Sequence, residues 1–299
     1  MTTTKTQKAS RARRKPSGQA ASANEKTAEP SGNGTAPLFN ERLVIIGTGI
    51  RTVGQLTMET VAWIERADKL FYVIADPIAE EVILRLNPKA AENLVGLYGE
   101  GKPRMETYNQ MVDTILASVR AGNMTVGAFY GHPGVFAYPS HESVRRARAE
   151  GYVARMLPGV SAEDCLFADL GVDPAQNGCQ SYEATDFLVN GRVIDNSSQV
   201  ILWQIGVLGD WTFKRYAYDL SAMPLLLERL SEYYPLTHEV YIYEAATLPG
   251  CEAIIKKVPI HMIPYAGVTA ASTLYIPPAR QSTPDPRFYT RMRLPQQQA

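Results

Sequence analysis

The chain contains 299 residues, of which 45% are hydrophobic and 20% are charged, and its 30 basic side chains balance its 30 acidic ones. This length and composition support one large or two medium domains with a buried core. They exclude a wholly disordered chain, a collagen-like chain and a disulfide scaffold. Because the net charge is zero, the overall composition provides no sign of nucleic-acid binding.

Residues 1–40 are predicted to be a disordered basic head. They carry seven basic and two acidic side chains, and almost no large apolar residue occurs before Leu38. Such a segment has too little apolar surface to form a core. Its basic cluster, residues 11–15, is interpreted as part of a solvated tail, with contact to RNA or another anionic partner as the alternative. The absence of acids from the first 24 residues leaves a transit peptide as a further alternative, which no apolar helical face supports.

From residue 42 onward, apolar runs alternate with amphipathic segments. The run at 43–46 ends in glycines and predicts a buried parallel strand. Further strands are predicted at 69–74, 93–98, 124–130 and 152–156, and helices at 56–67, 78–86, 108–121 and 140–150. Alternation of strands and helices with short turns predicts an α/β fold with a parallel sheet.

The second half continues the pattern after Leu157-Pro158-Gly159. Helices are predicted from 162 and at 223–233, and strands at 200–205, 239–245 and 271–276. We therefore expect two α/β domains, 41–158 and 159–278. Residues 279–299 contain three prolines and four arginines and are predicted to be a loose tail.

The cysteines and the apolar runs indicate the cellular compartment of the protein. Cys165, Cys179 and Cys251 are an odd number and widely spaced, which predicts free thiols in a reducing compartment. No apolar run approaches the roughly 18 residues of a membrane helix, and the N-terminus lacks the apolar core of a secretory signal. We expect a cytoplasmic protein with no membrane or nucleic-acid partner.

The first glycine-rich loop, residues 47–54 (GTGIRTVG), follows the first predicted strand. Glycines at such a turn allow a ligand to approach the backbone. Thr52 stands where a dinucleotide fingerprint has its third glycine, so NAD or FAD is a poor fit. A purely structural strand–helix turn explains this loop nearly as well.

Two further loops follow predicted strands, at 129–136 (FYGHPGVF) and 157–164 (LPGVSAED). His132 has no histidine partner at metal-ligand spacing, so it is interpreted as a structural or cofactor-contacting residue, and no metal is expected. Ser161 and Asp164 have the spacing of a capping box, which predicts a helix start. The segment lacks the pattern of a serine nucleophile elbow.

In this order and spacing, the three loops resemble the tetrapyrrole methylase family over about residues 43–276. The resemblance implies a methyltransferase that uses S-adenosylmethionine (SAM), with two α/β domains and the cofactor in the cleft between them. Most members have GxGPGDxxxLT in the first loop and GDP in the second. Arg51, Thr52 and His132 depart from those patterns, which weakens the case for a corrin or porphyrin substrate. Methylation of such a tetrapyrrole is therefore kept as the alternative function.

Longer segments are similar to the borosin peptide α-N-methyltransferases, which methylate backbone amides of ribosomally made peptides. These segments are FYGHPGVF, followed by PSH at 139–141, then ARMLPGVSAED at 154–164 and STLYIPP at 272–278. The branch also has a Tyr-x5-Arg-x3-Tyr motif, which stands here as Tyr98, Arg104 and Tyr108, and the tyrosine of FYGHPG, here Tyr130. The resemblance implies that these four residues are catalytic and that the enzyme is a homodimer with the peptide between its subunits.

The chemistry supports roles for this set. A peptide nitrogen is a poor nucleophile because its lone pair is delocalised into the carbonyl. The hypothesis is that Tyr108 acts as base, driven toward phenolate by the cationic Arg104, while Tyr98 and Tyr130 donate hydrogen bonds to the developing oxyanion. The alternative is that these tyrosines simply pack in the core through their rings.

The cofactor is expected to lie in a narrow cleft with many backbone contacts. Asp76 has a turn residue as its alternative, whereas Gln204 inside an apolar strand needs hydrogen-bond partners. The candidates are Gly49, Asp76, Pro77, Tyr130, His132, Val135, Phe136, Ser161, Ala162, Gln204 and Thr273.

The substrate peptide is expected to be a separate molecule that acts in trans. Residues 280–299 contain three prolines and no apolar run, and proline has no amide N–H to methylate. A relative that binds SAM without catalysis and serves as a partner-binding module is the alternative from another functional class.

Overall fold

The computed structural model describes residues 40–74, 76–216 and 218–293. The predicted basic head, except residue 40, lies outside the described residues, as do the last six residues of the predicted tail. Within the described ranges, no helix has both the length and the apolar character needed to cross a membrane.

The first sheet contains five parallel strands in the order β3-β2-β4-β1-β5. The strands are β1 (Leu43–Gly47), β2 (Lys69–Val73), β3 (Ala91–Asn93), β4 (Thr125–Phe129) and β5 (Ala154–Met156). The central strands β1 and β4 are buried along their whole length, as continuous apolar runs predict. The prediction of an α/β fold with a parallel sheet is confirmed.

Helices cover both faces of this sheet. They are α1 (Thr52–Gln55), α2 (Met58–Arg66), α3 (Pro77–Leu86), α4 (Arg104–Arg120) and α5 (Tyr138–Ala149). Along β1, Leu43 and Ile45 pack with residues of α4 and α5, while Val44 and Ile46 pack with residues of α2 and α3. Each such buried aliphatic side chain contributes about 1.5–3 kcal/mol relative to an exposed one.

The predicted strand at 93–98 is wrong in position. The third strand is β3, and a 3₁₀ turn at Val95–Leu97 follows it. Leu94 is buried and donates its N–H to the Tyr72 carbonyl at 2.9 Å. The apolar residues of this segment therefore form a turn that leads directly to Tyr98.

The second sheet is mixed, with the order β6-β7-β10-β8-β9. The strands are β6 (Cys179–Glu183), β7 (Gln199–Trp203), β8 (Glu239–Glu244), β9 (Ile254–Pro259) and β10 (Thr273–Ile276). Only β6 and β7 pair in parallel, and the other pairs are antiparallel. Strands β6 and β9 are absent from the sequence prediction, since neither edge strand is an apolar run.

The helices of the second half are α6 (Ala162–Leu170), α7 (Pro174–Asn177), α8 (Ala184–Val189), α9 (Met223–Ser231) and α10 (Pro286–Arg291). Helix α6 begins at the predicted capping box, which the structure confirms. Helix α10 lies inside the segment predicted as a loose tail, and the Ala279 N–H bonds to the Asn196 carbonyl at 2.9 Å. The domain boundary near residue 158, between β5 and α6, stays a prediction.

Candidate active site

A cavity of about 310 Å³ lies at the carboxyl ends of β1, β2 and β4 and beside the ends of β7 and β8. Ten of the predicted site residues line it. These are Tyr98, Tyr108, Tyr130, His132, Val135, Phe136, Ser161, Ala162, Gln204 and Thr273. The other four predicted residues, Gly49, Asp76, Pro77 and Arg104, do not line it. Trp203 and Thr247 line it without having been predicted.

The three glycine-rich loops meet at one wall of this cavity. Gly49 and Gly131 exchange two backbone hydrogen bonds, with N···O distances of 3.2 and 2.8 Å. Both have positive φ, +74° and +71°, a conformation that glycine adopts without the cost of a Cβ clash. Gly49 therefore supports the wall of the cavity from behind, while its neighbour Ile50 lines the cavity.

Gly47 and Gly159 are required for a different reason, close approach. A Cβ on Gly47 would clash with the Gly131 carbonyl oxygen and would lie 2.7 Å from Cδ of Pro133. A Cβ on Gly159 would lie 2.8 Å from the same oxygen and 3.0 Å from Cα of Gly47. The three loops thus pack backbone against backbone.

Two non-glycine residues of the cavity wall have left-handed backbone conformations. Phe136 has φ of 51° and Gln204 has φ of 61°. Such residues are uncommon and cluster at functional sites. Gln204 directly follows β7, so its predicted position inside a strand is wrong by one residue. Its left-handed turn places it on the cavity wall beside Trp203.

His132 presents a defined hydrogen-bonding edge. Its Nδ1 accepts the Gly134 N–H at 2.9 Å, which leaves Nε2 as the nitrogen that carries the proton in the neutral ring. Nε2 is then a hydrogen-bond donor. Within the part of the chain that the structure describes, no group of three or more His, Cys, Asp or Glu residues is arranged to hold a metal ion.

The first turn of α6 forms another part of the wall. Ser161 Oγ accepts the Asp164 N–H at 3.1 Å and donates to Asp164 Oδ2 at 2.7 Å. Ser161 and Ala162 both line the cavity, so the positive end of the helix dipole lies beside it. This end of a helix favours a negatively charged group such as a carboxylate.

Asp76 and Pro77 belong to a helix start. Asp76 Oδ1 accepts the Ala79 N–H at 2.8 Å, and Pro77 is the first residue of α3. Neither residue lines the cavity. The hydrogen bond of Asp76 caps the start of α3. It supports the local structural role considered for this residue over contact with a cofactor.

The predicted catalytic residues are brought together at one end of the cavity. Helix α4 begins at Arg104, so Arg104 and Tyr108 lie one turn apart on the same face. The rings of Tyr98 and Tyr108 meet edge to face with centroids 6.4 Å apart. Arg104 lies behind them and donates from Nε to the Thr212 carbonyl at 3.0 Å.

The tyrosine pKa values show two opposing effects. Burial raises the pKa of Tyr98, Tyr108 and Tyr130 above the ordinary value. The Arg104 charge lowers the pKa of Tyr98 and Tyr108, yet burial outweighs it. The expected shift of Tyr108 toward phenolate is therefore wrong in net direction for the protein alone. Tyr130 is half exposed as a residue and lines the cavity, and burial is the largest cause of the rise in its pKa.

The paired sheets and their shared glycine-walled cavity define the class III methyltransferase fold. The chain belongs to the family of tetrapyrrole (corrin/porphyrin) methylases, whose family model matches residues 42–260. A solved cobalt precorrin-4 methyltransferase of cobalamin biosynthesis has the same fold, with a TM-score of 0.59 and 17% identity over 82% of this chain and 98% of that one.

More similar sequences are found among fungal fusion proteins. The methyltransferase/ribosomally synthesized cyclic peptide gymnopeptides precursor of Gymnopus fusipes is 45% identical over 258 residues, which are 84% of this chain and 61% of that protein. The methyltransferase/ribosomally synthesized type I borosin cyclic peptide precursor of Coprinopsis marcescibilis is 43% identical over 248 residues, 81% of this chain and 63% of that protein. The chain thus spans about three fifths of the length of these relatives.

Proposed function

We propose that this chain is a SAM-dependent N-methyltransferase that methylates backbone amides of a ribosomally made precursor peptide. The observation that carries the proposal is the convergence of Tyr98, Tyr108 and Tyr130 on one cavity, with the Arg104 cation close enough to Tyr98 and Tyr108 to lower the pKa of each. The names of the similar fungal proteins, each a methyltransferase and a peptide precursor in one chain, support the peptide as substrate class.

The cavity fits SAM in size and chemistry. Its volume falls within the range of about 300–1,000 Å³ that is usual for ligand pockets. His132, Ser161, Gln204 and Thr273 provide polar groups on its wall, and the start of α6 suits a carboxylate. When bound, SAM supplies an electrophilic methyl group on a positively charged sulfonium and leaves as a neutral thioether.

The residues of the chain would prepare the amide for this transfer. Tyr108, as phenolate, accepts the amide proton, and the negative charge moves to the carbonyl oxygen of the peptide. Tyr98 and Tyr130 donate hydrogen bonds to that oxygen. Their raised pKa values suit this role, because a tyrosine that stays protonated remains a donor.

The rate of methylation is expected to rise with pH, by about tenfold per unit through the neutral range. The proton-accepting form of Tyr108 is the phenolate, and its raised pKa keeps that form scarce below the pKa. The rate therefore increases until the pH reaches that pKa and then levels off. Single-turnover rates from neutral to alkaline pH test this, and Tyr108→Phe is expected to lower the rate and flatten the profile. A rate independent of pH in the unmodified enzyme would exclude Tyr108 as the base.

The function itself is tested by expressing the protein with each small open reading frame that neighbours its gene. High-resolution tandem mass spectrometry is expected to find mass increments of one methylene on backbone amides of one of these peptides. Unmodified peptides, from a protein shown to bind SAM, would instead favour a tetrapyrrole substrate or a binding module without catalysis.

Three further properties are part of this proposal. Supply of the peptide in trans stays a prediction, and a methylated residue within 280–299 in the same experiment would contradict it. A homodimer is expected from the family resemblance, and light scattering of the purified protein measures it. A cytoplasmic location is consistent with Cys165, Cys179 and Cys251 being free thiols.

A further inference from the structure

A segment of the second half of the chain lies against Arg104. We call residues 210–216 together with Tyr218 the clamp segment. Gly101 donates its N–H to the Phe213 carbonyl at 2.8 Å, and Phe213 donates to the Lys102 carbonyl at 2.9 Å. Arg104 donates its own N–H to the Trp211 carbonyl at 3.0 Å. The clamp segment is therefore joined to the start of α4 by a short antiparallel ladder.

The Arg104 side chain also depends on the clamp segment. Its Nε donates to the Thr212 carbonyl at 3.0 Å, and its guanidinium carbon lies 5.4 Å from the centroid of the Tyr218 ring. Among the described residues, no carboxylate forms an ion pair with Arg104. The Asp210 carboxylate of the clamp segment interacts with the Arg104 charge without forming an ion pair, and that charge also lowers the pKa of Tyr98 and Tyr108.

Tyr218 is itself fixed in place. Its hydroxyl oxygen accepts the Lys214 N–H at 3.0 Å, which closes the end of the clamp segment. Tyr218 is also close enough to Tyr108 to act on it directly, and it raises the pKa of that phenol, but by less than Arg104 lowers it. Tyr218 therefore lies close to both members of the Arg104–Tyr108 pair. A ring face held beside a guanidinium attracts it through the cation–π interaction and restricts its orientation.

We propose that Tyr218 is a positioning residue that holds the Arg104 guanidinium toward the phenol of Tyr108. This inference rests on the proposed function, because the orientation of Arg104 matters only if Tyr108 acts as the base. It assigns to Tyr218 a positioning role at a distance from the cavity, whose wall contains no residue of the clamp segment.

The electrostatic consequence has a definite sign. A guanidinium held beside a phenol favours the phenolate and lowers its pKa. Without the Tyr218 ring the guanidinium samples other orientations, so the pKa of Tyr108 rises. At a fixed pH below that pKa, less phenolate is present and methylation is slower, while a higher pH restores the rate.

The test is Tyr218→Leu, with Tyr218→Phe and Tyr218→Trp as variants that keep an aromatic face. Tyr216→Leu is the matched control, since that side chain belongs to the same segment and is 92% exposed. The titration of Tyr108 is followed by NMR of protein with isotope-labelled tyrosine, and Tyr108→Phe assigns its signal. Tyr218→Leu is expected to raise the pKa of Tyr108 by about one unit. The Tyr216 control is expected to titrate as the wild type does. The aromatic variants keep the ring face but lose the hydroxyl that accepts the Lys214 N–H, so they are expected to shift the pKa of Tyr108 less than Tyr218→Leu does.

The pH–rate profile of methylation provides the second readout. Tyr218→Leu is expected to move the rising part of the profile about one pH unit higher, with a rate loss of about tenfold at neutral pH. An unchanged titration of Tyr108, or an equal loss of rate at every pH, would overturn the positioning role. The NMR titration needs no substrate, so it tests the positioning role of Tyr218 even if no peptide is methylated. An absence of methylation in the wild type would count against the proposed function alone.

Discussion

Replacement of Arg104 by alanine is expected to lower the rate of peptide methylation by roughly 10²–10³-fold, the usual effect of removing one charge-stabilising group from an active site. The affinity for SAM is expected to stay unchanged, because Arg104 does not line the cavity. The loss arises because burial already raises the pKa of Tyr108, and Arg104 opposes that shift. Without the cation, burial acts alone and the phenolate becomes scarcer still.

Two further variants separate the charge of Arg104 from its structural contacts. Arg104→Lys keeps the charge but loses the Nε bond to the Thr212 carbonyl, so an intermediate rate is expected. Arg120→Ala removes an arginine from the other end of α4, where it pairs with Glu150 at the surface, and it is expected to methylate as the wild type does. SAM affinity by calorimetry and single-turnover rates by mass spectrometry measure these effects. Wild-type turnover by Arg104→Ala would refute the role of the arginine.

The first sheet was predictable because both of its faces are covered by helices. β1 and β4 are therefore apolar at nearly every position, and the turns after them contain glycine. The sequence pattern misplaces β3 because Ala91-Glu92-Asn93 has no apolar pattern, and this strand is joined to β2 by backbone pairing and by the Lys69–Glu92 ion pair. The apolar residues that suggested a strand at 93–98 form a 3₁₀ turn instead.

The second sheet was harder to predict because its edges are not buried. The first four residues of β9 are all exposed, so no alternation of apolar and polar residues predicts a strand there. β6 is only partly buried and contains Gln180 and Ser181. Their pairing depends on neighbouring strands that are distant in the sequence, and a local pattern carries no information about such partners.

Within the site, the glycine-rich loops and the tyrosines were predictable, whereas the support behind them was not. Gly47, Gly131 and Gly159 were visible as glycines at the ends of strands, but their mutual contact is a property of the fold. The clamp segment shows no motif, and its bonds to Arg104 join residues more than 100 positions apart. The net rise in the pKa of Tyr108 comes mainly from burial, which the sequence does not reveal.

Gly47→Ala is expected to abolish SAM binding and to lower the free energy of unfolding by about 1–3 kcal/mol, the cost of forcing an extra carbon into a packed site. The added Cβ would clash with the Gly131 carbonyl oxygen and crowd Pro133 Cδ at 2.7 Å and Gly159 Cα at 3.1 Å. Two of these three contacts are with backbone, which cannot move aside as a flexible side chain does. The three loops must then separate, and the cavity wall that they form changes shape.

Gly54→Ala is the matched control, because it lies in the same glycine-rich loop and its added Cβ would meet no atom within 4 Å. Gly54 is part of α1 and its φ is not positive, so alanine is expected to be neutral or to stabilise the protein by about 0.4–1 kcal/mol. Chemical denaturation measures the stability of both variants, and calorimetry measures their SAM affinity. Wild-type SAM affinity in Gly47→Ala would show that the contact of the three loops does not shape the cofactor site. A loss of stability without a loss of SAM affinity would limit the role of Gly47 to packing. If Gly47 also shapes the cofactor site, the stability and the SAM affinity must fall together.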